Sequence, residues 1–458
     1  MSSNQRAVGT DLTGGSIMKT LVKFVVPIFL TNFIQELYNI VDLIVIGQFA
    51  GSAGTVGVSN GGEIVGFLTF FCMGFANAGQ VYIAQLCGRK NFEAVKRTIG
   101  TLLTMMILSS VVFGAFALTF CRPLLQLINT PAGALDQAYA YMMITTFGLP
   151  FIFCYNAICG ILRGMGESRR PLNFIIVAAI TNVVLDYIFV AFLDMSSAGT
   201  ALATIIAQIV SCVLAFRFLY VHRADFNFDF LPQSFVPVWD HLKVLLKVGF
   251  PMAVQSACIH LSLMFCNAQI NSYGMVASAT NSIGNKVVRF SNLISNSMNT
   301  GAAAMIGQNL GAKQYDRAKQ VVFTALRFAM ALAVFNCIVA LTAPKLLFGL
   351  FSSDPEVLQM SVNFMRISCV TFLLSCWMGP FGAMVNGSGF AALNFLIGIL
   401  DGVVLRISIS LFLAHVMHMG VYAFFWGNSL ARLAPCVIST VYFFSGKWKT
   451  RKLLGEKK

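Results

Sequence analysis

Five carboxylates interrupt the apolar runs of this chain: Glu36, Asp42, Glu63, Asp186 and Asp401. A charge at bilayer depth is costly and is kept where it meets water, a partner or an ion. Gln35, Tyr38, Asn39 and Asp42 follow a 3-1-3 spacing, which puts them on one face of a helix. Asn182 and Asp186, at i and i+4, share a face of a second helix, and Thr200 and Thr204 stand one turn apart at the start of a third. Two carboxylates with an amide and a hydroxyl make a small-cation site. Sodium would need several of these oxygens, whereas a proton needs only a carboxylate, and the spacing does not choose between them. Asn156, in YNAICG, is a further amide expected to face the same cavity, and Pro27 removes one backbone bond from the first helix and permits a bend there. Spacing gives Glu36 and Glu63 no role.

The second half does not repeat this set. At an offset of 221, Asn182 and Asp186 fall on Val403 and Ile407. Asp401 and Arg406 appear instead, five apart and of opposite sign, either as a structural pair or reaching different neighbours. The coupling acids are thus expected in the first half, with the second half mainly shaping the cavity.

Those residues need a scaffold, and composition states which kind. The chain has 458 residues, 57% hydrophobic and 10% charged, with a mean hydropathy of +0.77. A soluble protein of this size needs far more polar surface, roughly 25% charged residues. This excludes a cytosolic enzyme, a disordered chain and a secreted disulfide scaffold. The runs are too long for barrel strands of about ten residues. The predicted fold class is therefore an all-α polytopic membrane protein. Twelve spans are expected at 21–46, 55–84, 98–120, 134–160, 171–193, 197–220, 243–271, 275–308, 317–342, 357–385, 390–414 and 418–444.

Of the 31 basic residues, most lie on alternate loops and ends: Arg6, Lys19 and Lys23; Arg89 to Arg97; Arg163, Arg169 and Arg170; Arg217 to Lys247; Lys313 to Lys319; and Lys447 to Lys458. The opposite set holds Arg122 and Lys345. The positive-inside rule places both termini in the cytoplasm, in a multi-pass protein of the cell membrane. The net charge of +14 is then a topology signal. No nucleic-acid partner is expected, because the basic residues form no single patch. The twelve Cys lack zinc spacing and read as small core residues. No GxxxxGK[ST], HExxH or GxSxG run occurs, so neither an ATP-driven pump nor a hydrolase is expected.

The halves resemble each other. VPIFLTN at 26–32 answers FPMAVQS at 250–256, AQLCGRKNFEAVKR at 84–97 answers GQNLGAKQYDRAKQ at 307–320, and LRGMGESRRPLNF at 162–174 answers VNGSGFAALNF at 385–395. Six helices per repeat is an even number, so the lobes form a parallel repeat about the membrane normal. The expected division is a first lobe at 1–221, a cytoplasmic linker at 222–242, a second lobe at 243–446 and a basic tail at 447–458. Met- and Phe-rich walls suit varied, bulky, partly apolar ligands.

NIVDLIVIGQFAG at 39–51, NAICGILRGMGESRRPLNF at 156–174, NVVLD at 182–186 and AGTALAT at 198–204 together resemble the MATE multidrug and toxic-compound exporters. The acids retained in the first lobe look like the DinF-type branch. The acids that mark helices seven and ten of the NorM-type branch are missing here. The resemblance implies a V-shaped pair of six-helix lobes that rock to export organic cations and other amphipathic drugs against inward H⁺ or Na⁺. It implies a cation site at Asp42, Asn182, Asp186 and Thr204, with Gln35, Tyr38, Asn39 and Asn156 near the cavity and Pro27 as a conformational residue. A monomer in the bilayer is expected, without cofactor beyond the coupling ion. The alternative is a flippase for lipid-linked oligosaccharides from the same superfamily, kept open by Arg289, Arg327, Arg366 and Arg406.

Overall fold

A computed structural model describes residues 9–456. Arg6, Lys457 and Lys458 of the charge pattern lie outside the described residues. The chain opens with α1 (Ile17–Phe49), followed by α2 (Gly51–Gly88), α3 (Phe92–Thr119), α4 (Cys121–Leu127), α5 (Ala132–Phe147), α6 (Leu149–Gly164), α7 (Arg169–Asp186) and α8 (Ser196–Val221). After α9 (Trp239–Asn271) come α10 (Met275–Gly311), α11 (Tyr315–Thr342), α12 (Pro344–Gly349), α13 (Pro355–Gly387), α14 (Ala391–Ile399), α15 (Arg406–His415), α16 (Tyr422–Leu430), α17 (Leu433–Phe444) and α18 (Lys447–Thr450).

Each expected span maps onto one helix or a broken helical pair. Among the described residues nine helices are long and apolar enough to cross a membrane, or ten if α5 and α6, bent by 52°, are one span. The difference from twelve has a local cause. α10 carries Lys286, Arg289 and a run of Asn and Ser, and α16–α17 breaks at Arg432. These segments are too polar or too short to be read as spans by hydropathy alone.

The chain divides into two compact units. Unit 1 takes Leu30–Phe250 with the described residues up to Asp11, and unit 2 takes Leu12–Phe29 and the described residues from Pro251 onward. Both α1 and α9 therefore give their first part to one unit and the remainder to the other, and each changes unit close to a proline, Pro27 and Pro251. In unit 2, Gly301 on α10 lies so close to α1 that an added Cβ would stand 2.5 Å from Val25. In unit 1, a Cβ on Gly249 of α9 would stand 2.3 Å from Phe75 on α2. Val25 and Gly249 are corresponding positions of the two halves, two residues before the matched prolines. The repeat also extends to backbone geometry. Lys90 and Lys313 both take left-handed φ of 58°, turning the chain into α3 and α11.

Within unit 1, α2 packs on α5 and α6, and α7 on α8. Close helix approach needs small residues. A Cβ on Gly160 of α6 would lie 2.6 Å from the Ala76 carbonyl oxygen of α2. Unit 2 is built around α13, which packs on α10, α11 and α17.

The polar stretch at 222–242 is docked on unit 1. Phe226 and Phe228 are buried, and Phe228, Phe230 and Phe235 pack edge to face. Lys96 Nζ lies 2.6 Å from Asp229, Thr104 donates to the Phe235 carbonyl at 2.6 Å, and His241 Nδ1 sits 3.0 Å from both the Tyr82 hydroxyl and Thr98 Oγ1. The alternating Phe residues explain this: their apolar area is too large to leave in water.

Candidate cation site

Unit 1 gathers α1, α5, α7 and α8 around two carboxylates. Asp42 on α1 is 6% exposed, and Asn182 and Asp186 on α7 are 1% and 0% exposed. The two carboxyl groups are close enough to influence each other electrostatically. Thr200 is fully buried on α8, and Thr204, one turn further, is half-buried. Helical periodicity brings Asn182 above Asp186 and Thr200 above Thr204, as their four-residue spacings require.

The polar atoms here are left wanting. Asp42 Oδ1, both Asp186 oxygens, the Asn182 amide oxygen and nitrogen, Thr200 Oγ1 and Gln208 Oε1 are buried without a hydrogen-bond partner. Buried polar atoms are normally satisfied, so a concentration of orphans in one place marks a space for something positive. Two buried carboxylates close enough to repel each other need either a proton or a metal cation to cancel that repulsion. The available donors are hard oxygens: two carboxylates, an amide carbonyl and a hydroxyl. That set fits Na⁺ or H⁺. Among the described residues no three His, Cys, Asp or Glu side chains cluster as a metal site, so a multi-acid or thiolate metal centre has no ligand set here.

Three neighbours complete the site, and spacing did not identify two of them, Gln208 and Tyr141. Tyr38, anticipated on the same face as Asp42, is buried beside Gln35 and Gln208. Gln208 lies one turn beyond Thr204, a signal visible in the sequence once α8 is drawn. Tyr141, on α5, adjoins Thr204 and is close enough to both Asp42 and Asp186 to feel their charge. It sits in an apolar run with nothing to distinguish it. Its ring rests on α2, where a Cβ on Gly61 would stand 2.9 Å from it.

Asn39 is exposed. Asn156 on α6 is half-buried, and its amide donates to the Ile152 carbonyl of its own helix at 2.8 Å. Pro27 lies in the part of α1 that belongs to unit 2. In unit 2, Asp401 and Arg406 form a direct ion pair at 2.9 Å, with side chains 7% and 2% exposed, and Arg406 also donates to Asn428. A π-helical segment, Leu400–Leu405, contains Asp401, and another, Tyr187–Phe192, follows Asp186. The same helix of each half is thus interrupted at its charged residue. A small cavity lies near the Arg406 partner, lined by Asn267, Asn281, Asn285, Asn428, Ser368 and several apolar side chains.

Known proteins share this fold. The MatE family model matches twice, at residues 27–188 and 251–412, one match per half. A probable multidrug resistance protein, YoeA, of Bacillus subtilis is 24% identical, with 96% of each chain covered. The probable multidrug resistance protein NorM of Thermotoga maritima is 23% identical, covering 96% of this chain and 94% of its own. A solved outward-facing multidrug resistance MATE transporter of the MOP superfamily superposes with a TM-score of 0.90 at 20% identity, covering 98% of this chain and 100% of that one. With both halves matched by the family model and the full length matched in fold, this chain belongs to the MatE family of membrane transporters.

Proposed function

We propose that this protein is a secondary active multidrug exporter. It would expel organic cations and other amphipathic compounds from the cell in exchange for H⁺ or Na⁺ loaded at Asp42 and Asp186. The observation that carries this reading is the pair of neighbouring buried carboxylates, surrounded by unsatisfied polar atoms and confined to one unit. The names of the multidrug relatives support the export part. The retained first-half acids support a DinF-like branch.

In this reading the moving bodies are the lobes at 1–221 and 243–446, which rock in the cell membrane with both termini cytoplasmic. Loading a cation at the carboxylates favours one conformation, and drug binding favours the other. The two ligands need only differ in their affinity for the two states, and that coupling is reciprocal. Asn182 and Thr204 would complete the oxygen set, while Tyr38, Gln208 and Tyr141 would hold the acids in place. Asp401 and Arg406 satisfy each other, which leaves the second unit without a comparable acid pair.

The test is proteoliposome efflux of a fluorescent cation, with a pH gradient and a Na⁺ gradient imposed separately. Wild-type protein should respond to at least one gradient. Asp42→Asn should lose that response while still inserting. Gradient-driven efflux by Asp42→Asn at the wild-type rate would refute the assignment.

A further inference from the structure

Of the five acids inside the spans, four are engaged. Asp42 and Asp186 are 6% and 0% exposed, too deep in unit 1 for a bulky molecule to touch. Asp401 is held by Arg406. Glu36 is half-buried and has other contacts. Glu63, on α2, is exposed, and no hydrogen bond or ion pair ties it among the described residues. It falls within an apolar helix, Ala53–Gly88, long enough to cross the bilayer. An ionised carboxylate turned toward hydrocarbon costs several kcal/mol, so the face of α2 that carries Glu63 is one that meets water.

Its surroundings have a definite chemistry. A Cβ built on Gly66, one turn further along the same face, meets nothing within 4 Å, which leaves open space beside the carboxylate. Phe67, at i+4, is half-buried and packs edge to face on Phe71 with centroids 5.5 Å apart. The preceding residue, Gly62, lies against the Tyr141 ring, where an added Cβ would be 3.7 Å from it. Tyr141 in turn adjoins the Asp42–Asp186 pair. An accessible carboxylate, a vacant space and an aromatic edge form a subsite for a lipophilic organic cation, with charge attraction from Glu63 and cation–π or apolar contact from Phe67.

Resting on the export reading above, we infer that Glu63 is the substrate-contacting acid of this protein. It recognises the positive charge of exported compounds, while Asp42 and Asp186 serve the coupling ion. Recognition of drug and loading of ion are then divided between two sets of acids.

The probe is tetraphenylphosphonium, a lipophilic monovalent cation, titrated into the full-length protein in nanodiscs. Glu63→Gln should weaken its binding tenfold or more, and Glu63→Asp, which keeps the charge, should stay within about threefold of wild type. Efflux of a neutral dye should be unchanged in both. Equal affinity in Glu63→Gln, or equal losses in the Gln and Asp variants, would overturn the inference. Because Glu63→Gln could fail to fold, wild-type protein is also labelled with a carbodiimide and read by peptide mass spectrometry. Tetraphenylphosphonium should protect Glu63, and undiminished labelling would overturn the inference. Absence of tetraphenylphosphonium binding to the wild type would overturn it too. Neutral-dye efflux by that same preparation then shows whether the export reading falls with it.

Discussion

The buried pair of unit 2 permits a quantitative test of what Asp401 and Arg406 are for. Their contact is 2.9 Å, with side chains 7% and 2% exposed. At an effective dielectric of about 20, two unit charges at that distance attract by roughly 6 kcal/mol, an attraction that offsets several kcal/mol of desolvation per ion. The net worth of the pair is therefore small, while the cost of breaking it is large. Asp401→Leu leaves Arg406 buried with the Asn428 side-chain oxygen as its hydrogen-bond partner and should destabilise the protein by about 3–5 kcal/mol. Arg406→Met should cost a similar amount. The double variant Asp401→Leu/Arg406→Met removes both charges together and should lie within about 1 kcal/mol of wild type, following the pattern in which apolar replacement of a buried pair is neutral or stabilising. The assay is equilibrium unfolding in mixed micelles across the full double-mutant cycle, with efflux measured in parallel. A single variant as stable as wild type, or a double variant worse than either single, would refute the reasoning. Loss of efflux at unchanged stability would instead assign the pair to transport.

Further outcomes follow from geometry elsewhere. Gly160→Val would drive side-chain atoms against the Ala76 carbonyl, since even a Cβ would stand 2.6 Å from that oxygen. It should force α6 away from α2 and cost about 1–3 kcal/mol, read as a lower thermal midpoint in detergent. The docked segment should keep its acid resistance down to very low pH. Hydrogen bonds from Lys96 and Ser234 hold the Asp229 carboxyl down at about 2. A depressed carboxylate stabilises the docked form above its ordinary value of about 4, and that stabilisation is lost as pH falls through about 2. Pepsin cleavage within 222–238 should thus stay slow at pH 4 and accelerate near pH 2, whereas Lys96→Ala should be cleaved readily at pH 4. Equal cleavage of both proteins at pH 4 would contradict the role given to this contact.

Local signals carried much of this protein. Hydropathy, the alternation of basic loops and the matched segments of the two halves are short-range properties, and a sequence displays them directly. The same holds for Asp42, Asn182 and Asp186, because a charge or an amide in an apolar run announces a cost that something must offset. The matched segments also share a backbone turn, at Lys90 and Lys313.

Other features depended on which faces meet. Tyr141 completes the cation site through the packing of α5 against Gly61 of α2, and no pattern in its own run points there. The Phe-rich segment at 226–235 looked like a polar connector by composition, but its rings found a surface on unit 1. The pairing of Asp401 with Arg406 turned on helix type. In an α-helix of 3.6 residues per turn, residues five apart point about 140° away from each other. The π-helical run Leu400–Leu405 closes its bonds over five residues, which stacks position 401 over 406 and lets the charges meet. The sequence by itself determined a two-part, apolar helical transporter with acids concentrated in its first half. Only the tertiary structure decided which of those acids are buried together, which is satisfied by an arginine and which stands open, because contact between helices distant in the chain depends on packing and backbone geometry that no local period encodes.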